Sequence, residues 1–531
     1  MILTILLTCL PAGDGPLDKS FQAREAEHLW NRAGFGALPE QIEASVTVGR
    51  EETVRRLLSI PADEQPFFVE RFLDVPREQY KERSEAERNR MNNAARERER
   101  KQLQDYTGWW VERMQTADSP LRERMVLFWH GYFTSSVEEV RRANMLIRQN
   151  QFFRENALGN FRTILKGMLR DPALLTYLDN DANRKGRPNE NLARELMELF
   201  TLGLGNYTEK DVKEVARALT GRTVDGQGDY AFDKGAHDDG AKEILGQKGK
   251  FNGDDVARIL LEQPACSRHV ARRLLRWFES VEPAEARVEA YAQVLRDGDW
   301  ELQPFLARLL NDPAFYSEDV VGARVLSPIE YMVGISRRTG QRVPSPLVAS
   351  ASSMLGMRLF SPPNVKGWEE GTAWITTSTL MQRGNIAGML LGAVRVDDVF
   401  VTSDADMQEM SEGGAAMAPA KKDPPKGAAG AAFTAMKRVV DAGWSPTLNF
   451  SARMTRQGSK TDAQIVDAML SDLLACEAPQ DTRERMLSYL AGERVMLGLR
   501  DGEFLKGGAP AERVLRRMAH LILSLPEAQL G

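Results

Sequence analysis

The chain has 531 residues, 42% of them hydrophobic, which is enough to bury full-sized cores and excludes a disordered chain or a small module that needs staples. Its 70 basic residues stand against 75 acidic ones, a formal charge of −5, so the basic surplus a nucleic-acid binder sets against phosphate is missing and no nucleic-acid partner is expected. Three cysteines, Cys9, Cys266 and Cys476, are too few for a disulfide framework.

In chain order, residues 1–20 open with an apolar run from Ile2 to Leu10 followed by small residues, the pattern that ends a secretory signal peptide, although the basic stretch that usually precedes it is lacking. Cys9, after Leu6, Leu7 and Thr8, also fits a lipoprotein attachment site imperfectly, and a start-site artefact is a third reading of residues 1–13. Export to the periplasm, the cell envelope or the medium is the expectation, and a cytoplasmic place follows if the segment is not a signal. No other run approaches the roughly 20 apolar residues of a membrane-spanning helix.

Residues 21–400 form the expected main helical domain. Within it, residues 25–60 read as two helices with Gly34, Gly36 and Pro39 between them, and residues 81–106 as a charged, solvated helical arm. Aromatic helices follow over 109–133, and then a helical stretch over 144–178 broken at Asp171 and Pro172, whose Phe161, Ile164, Leu165, Met168 and Leu169 recur on one face. A helix is expected over 188–202, with Pro188 in its first turn, Leu192, Leu196, Leu199 and Phe200 on its apolar face, and Gly203 as its stop. Thr208 and Asp211 form a capping pair for the next helix, which Gly221 ends. Residues 225–253 lack a helical period and read as a long loop or small β excursion.

Helices resume over 254–340, a Pro/Gly/Trp-rich loop spans 361–376, and a helix ends near Leu391. Residues 402–432 are too poor in apolar side chains to offset chain entropy and read as a disordered linker or insertion. Residues 433–531 are helical again, either a separate lobe or a region packed on the main domain. The pattern Leu-x-x-Pro recurs at Pro61, Pro172, Pro264, Pro313 and Pro526, where one helix stops and the next starts; its irregular spacing argues against a solenoid. The fold class is therefore all-α: a multi-helical globular domain with long loops and at most a small β excursion.

Candidate chemistry is sparse. The five histidines contain no H-x-x-x-H pair, and there is no P-loop, G-x-G-x-x-G turn or G-x-S-x-G elbow. In the helix after Asn189, Glu190, Arg194 and Glu198 lie opposite the leucine face as i,i+4 ion pairs, whereas Glu195 sits at the edge of that face, where partial burial raises a carboxyl pKa. Glu195 is thus a candidate acid, base or metal ligand, or else the anchor of a loop. His237 and Asp238, with Asp239 and Lys242 nearby in a glycine-framed loop, are either half of a metal site or a helix cap. His130 reads as a histidine at the edge of the core, or as a further ligand. Trp368 and Trp374, with Lys366 beside them, form either an aromatic platform for a sugar ring or a cap over a helical core.

Several of these segments carry a resemblance: HLWNRAGFG from His28, MVLFWHGYFTSS from Met125, RENALGNFRTILKGMLRDPALLTYLDN from Arg154, GRPNENLARELMELFTLGLGNYTEKDVKEVARALTGRTVD from Gly186, HDDGAKEILG from His237, SPIEY from Ser327 and LFSPPNVKGWEEGTAWI from Leu359. With them the chain resembles, over nearly its whole length, the bacterial family catalogued as domain of unknown function 1800. The resemblance implies a helical fold, frequent export and no established activity. The family pattern marks His28, Arg32, His130, Asp179 and Asn189 through Asn191, then Arg194, Glu195 and Glu198, and further on His237, Asp238, Lys242, Lys366 and Trp368. Arg222 stands where the family often has tryptophan.

Three functional readings stay open. In the first, an exported scaffold of the cell envelope holds an unknown protein partner through its helical surface. In the second, a metal-assisted hydrolase uses Glu195, Glu190 and Arg194 as catalytic groups and His237, Asp238 and His130 around a divalent metal, which requires Glu195 and His237 within about 8 Å of each other. In the third, Trp368, Trp374 and Lys366 bind carbohydrate, which requires both tryptophans to be exposed and coplanar.

Overall fold

The computed structural model describes residues 21–59, 67–69, 81–399 and 427–531. Among them are 23 α-helices and four three-residue strands in two antiparallel pairs, so the fold is mainly all-α with a small β excursion, as expected. The export segment 1–20, Cys9 included, lies outside the described residues, as does residue 61 of the proline pattern. So does most of the stretch expected to be disordered, 402–432. Its end is not disordered: from Ala428 it is the start of the helix Ala428–Asp441, where alanine's high helix propensity prevails and Met436 is buried.

Proline sets many of the helix starts. At Pro172, Pro264, Pro313 and Pro526 a new helical segment begins with the proline in its first turn, where the missing N–H has no partner to lose. Asp171 and Asp312, each one residue earlier, accept the N–H groups of Leu174 at 2.8 Å and Ala314 at 3.0 Å. The helix expected over 188–202 is shorter, Asn191–Glu198. Asn183 accepts the Asn189 N–H and Asn189 accepts the Asn191 N–H, both at 2.9 Å, so side chains take the amides that a longer helix needs. The Thr208 and Asp211 capping box forms, and the helix Glu209–Leu219 follows it.

The arm is the 32-residue helix Glu85–Thr116, solvated at its start and buried from Gln102 onward through Leu103, Tyr106 and Trp110. In the 225–253 region, Arg222–Val224 pairs with Tyr230–Phe232, and Lys242–Ile244 with Gln247–Gly249. The helix Pro120–Tyr132 is buried on nearly every side and runs through the core beside Trp110, Phe133 and Phe153. The C-terminal helices pack on the main body: Ala428–Asp441 on Ser345–Met354, Asp462–Leu473 on Pro328–Thr339, and Ala509–Leu523 on Thr377–Leu391. The chain end adds a backbone seam, with the Leu326 N–H donating to Gln529 O and the Gly531 N–H to Arg324 O, both at 2.8 Å. That seam fixes the segment around Arg324. No helix among the described residues is long and apolar enough to cross a membrane.

Candidate functional site

Four separate parts of the chain meet around one cleft of about 290 Å³. Phe128 and Gly131 come from the helix Pro120–Tyr132, and Arg273, Arg276 and Trp277 from the helix Pro264–Glu279. Arg324, Ser327 and Glu330 come from the start of the helix Pro328–Thr339, and Lys366, Trp368 and Trp374 from the proline-rich loop.

The loop is pinned to the core by backbone bonds that leave it little freedom. The Phe360 N–H donates to Nε2 of His130 at 3.2 Å, the Val137 N–H to Phe360 O at 2.9 Å, and the Thr134 hydroxyl to Val365 O at 2.7 Å. Gly367 has φ +93°, and a Cβ there would meet Gly131 O at 2.7 Å, so only glycine lets the loop approach the helix this closely. Phe360 itself holds φ +64°, a conformation costing on the order of 1–3 kcal/mol, and its ring is held against Trp110 and His130. The His130 ring lies 5.3 Å from that of Trp368, centroid to centroid. Burial pushes its pKa down to about 3, so Nε2 is a neutral acceptor. His130 is therefore the peg that positions Trp368.

Beneath the cleft, charge is concentrated in the core. Glu330 accepts the Ser327 N–H at 2.8 Å to cap its helix, and the same carboxylate pairs with Arg324 at 2.8 Å and with Arg124. The guanidinium carbons of Arg124 and Arg324 lie 4.9 and 4.3 Å from the Trp277 ring centroid. Arg32, fully buried, donates to the Ser280 hydroxyl at 2.9 Å and to Val320 O at 2.6 Å. Burial opposes ionisation of Glu330, but Arg124 and Arg324 outweigh it and hold the carboxyl far below its usual range. Burial pulls Arg124 down to about 10. Arg32 is pulled well below its ordinary value by burial and then by the like charges of Arg324 and Arg124.

The residues singled out by sequence divide between this cleft and two other places. Lys366, Trp368 and Trp374 line the cleft, and His130 stands directly behind it. Glu195 is half-buried; burial and then Glu198 raise its pKa, while Lys366 acts the other way, which puts Glu195 beside the cleft's edge. Glu190 and Arg194 face solvent: Arg194 grips Glu209 at 2.8 Å through both terminal nitrogens and reaches Glu190 at 3.3 Å. The two tryptophans do not form an exposed, coplanar platform. Trp374 is only 8% exposed and Trp368 is half-buried, because the pinned loop turns both inward as walls.

His237 and Asp238 lie in different surroundings. His237 Nδ1 is 2.9 Å from Thr220 O, and Asp238 accepts Arg217 Nε at 2.8 Å. Lys242, 3% exposed, donates its ammonium to Gly240 O at 3.0 Å and to Asp238 O. The expected helix cap does not form, because the strand Lys242–Ile244 follows the turn instead of a helix. The charges acting on Asp238 are those of Arg217 and Lys242, and none of them acts on Glu195. Among the described residues no group of three or more His, Cys, Asp or Glu is placed to hold a metal ion, so His130, His237 and Asp238 are not gathered into one centre.

Sequence reasoning missed Trp277, Arg273, Arg276, Arg324, Arg124 and Glu330. Two signals for them were present. Ser327 and Glu330 stand three apart around Pro328, a capping-box spacing. Arg124, after Arg122 and Glu123, directly precedes the apolar run Met125 to Trp129, where a cation needs a buried partner.

The family model described as protein of unknown function (DUF1800) matches residues 28–530, nearly the whole chain, and the chain belongs to that family. No curated protein and no solved structure matches it.

Proposed function

We propose that this member of the family is a ligand-binding protein whose site is the tryptophan-walled cleft, with a small ring-bearing molecule such as a monosaccharide as the ligand class, enclosed between the walls because the exposed, coplanar platform of a surface carbohydrate site is absent. The observation that carries this reading is the meeting of Trp277 with Trp368 and Trp374 of a distant loop on one cleft of about 290 Å³. That is the lower end of small-molecule sites, roughly 300–1,000 Å³. A catalytic role finds less support, because the carboxylate inside the cleft, Glu330, is locked as an anion by two arginines and is a poor proton donor or acceptor near neutral pH. The apolar run Ile2 to Leu10 supports a place in the cell envelope or beyond it, which fractionation of the host cell tests.

The cleft can be plugged without touching its polar groups. A Cβ on Gly131 would have no neighbour closer than Trp368 Cε3 at 4.0 Å, so Gly131→Leu fills space inside the cleft and strengthens the helix. Ligand-observed NMR with a panel of neutral, amino and acidic monosaccharides should show binding to the native protein and loss of about tenfold in affinity in Gly131→Leu. Equal binding by the plugged variant, or no binding by any member of the panel, overturns the reading.

A further inference from the structure

We propose that the ligand carries a carboxylate or phosphate group, gripped in the cleft by Arg273, Arg276 and Lys366 over Arg324; this inference rests on the cleft being the binding site. The case starts from charge. The cleft is lined by the four cations Arg273, Arg276, Arg324 and Lys366 and the three carboxylates Glu330, Glu369 and Glu370. Glu330 already serves Arg124 and Arg324 together, and the buried Arg32 stands behind Ser280 with only a hydroxyl and a carbonyl as partners. Counting Arg32 and Arg124 together with Glu279, which acts on Arg32, Glu282, which reaches Arg276, and Glu195, which feels Lys366, six cations face six carboxylates, of which only Glu279 and Glu330 are buried, while Glu282, Glu369 and Glu370 are exposed.

The mouth cations are also under-used. Arg273 and Lys366 make no ion pair among the described residues, and Arg276 reaches Glu282 and Glu370 only at 3.5 Å. Arg273 is held from behind, its guanidinium carbon 5.3 Å from the centroid of the Tyr132 ring, which steadies it while leaving its nitrogens without an acid. A guanidinium is a planar fork matched to two oxygens of a carboxylate or phosphate, and two arginines one turn apart on a helix present two such forks. Arg273 is half-buried, whereas Arg276 and Lys366 are exposed, so an arriving anion gains most at Arg273 and the other two hold it at the rim. Ser327, 8% exposed and lining the cleft, adds a hydroxyl with no hydrogen-bond partner among the described residues.

These features select against a cation and against a polymer of phosphates. No acidic cluster stands ready for a metal among the described residues, and the volume admits one small molecule. The cationic edge beside tryptophan walls fits an acidic sugar, in which a ring and an anionic group lie a bond or two apart.

Calorimetric titration with glucose, glucuronic acid and glucose 6-phosphate separates the possibilities. The two acids are expected to bind about tenfold or more tightly than glucose, and the advantage should shrink in about 0.5 M sodium chloride. Arg273→Gln and Lys366→Met should each weaken the acids about fivefold or more, a larger loss than either causes for glucose. Which acid binds more tightly assigns carboxylate or phosphate. Glucose binding as tightly as both acids overturns the anion proposal while the cleft reading stands. Acid binding that survives in Gly131→Leu, or that ignores both charge variants, places the anion elsewhere and overturns the proposal. No binding by any of the three overturns it together with the cleft reading.

Discussion

The turn around His237 and the cleft around Trp277 hold the same kinds of side chain: an arginine on a carboxylate, a buried cation, a histidine nearby. They differ in completeness. In the turn, Asp238 has Arg217, Lys242 has two carbonyls beside the charge of Asp238, and His237 has Thr220, so each of these three groups has a hydrogen-bond partner within the protein. In the cleft, one carboxylate serves two arginines, and Arg273 and Lys366 have no ion pair among the described residues. Density of polar residues in the sequence marked the turn, but a binding site needs groups left available, and those lie in the cleft.

The contrast is sharpest at Glu330. Removing a buried carboxylate from beneath two arginines leaves uncompensated charge in the core, so Glu330→Ala should cost about 3–5 kcal/mol in urea unfolding. A loss under about 1 kcal/mol would mean that water already reaches Arg124 and that the cluster is not a buried one. In the turn the corresponding change is Lys242→Met, which strips two carbonyls of their donor; it should cost about 2 kcal/mol and leave titrations of the cleft untouched. If Lys242→Met also weakened acid binding, the separation between the two regions would collapse. Arg194→Ala, which breaks a half-exposed network outside both regions, should shift stability by a few tenths of a kcal/mol and nothing else.

The protonation of His130 adds nothing at neutral pH, and its effect grows on acidification. The folded protein keeps this imidazole neutral down to about pH 3, whereas the unfolded chain protonates it below its ordinary 6.5. More protons then bind the unfolded state, so the contribution is fully present above pH 6.5 and is lost as pH falls toward 3. His130→Gln, which has no proton to gain, should flatten the slope of unfolding free energy against pH in that window by up to one proton; His28, His269 and His520 add slope in the same direction, and the raised carboxyls of Glu27 and Asp171 oppose it. An unchanged slope would show that His130 is reached by solvent.

Much of the scaffold was legible locally. Proline after leucine fixed helix starts at Pro172, Pro264, Pro313 and Pro526, and the Thr208 and Asp211 pair fixed another, because capping involves only residues within one turn. The raised pKa of Glu195 was legible too, since its place at the edge of the apolar face foretells partial burial and Glu198 on the same helix adds a like charge. The length of the helix after Asn189 was not, because Asn183, outside it, takes one of its amides.

By itself the sequence determined the all-α class, several helix starts and the family, all of which depend on spacing within a few residues or on motifs read in order. Only the tertiary structure decided which polar groups find partners. The charge balance of the cleft is summed over Arg32, Arg124, Arg273, Arg324, Glu330 and Lys366, which lie far apart along the chain, and Coulomb interactions depend on distance through the folded core and on exclusion of water, neither of which a local pattern encodes.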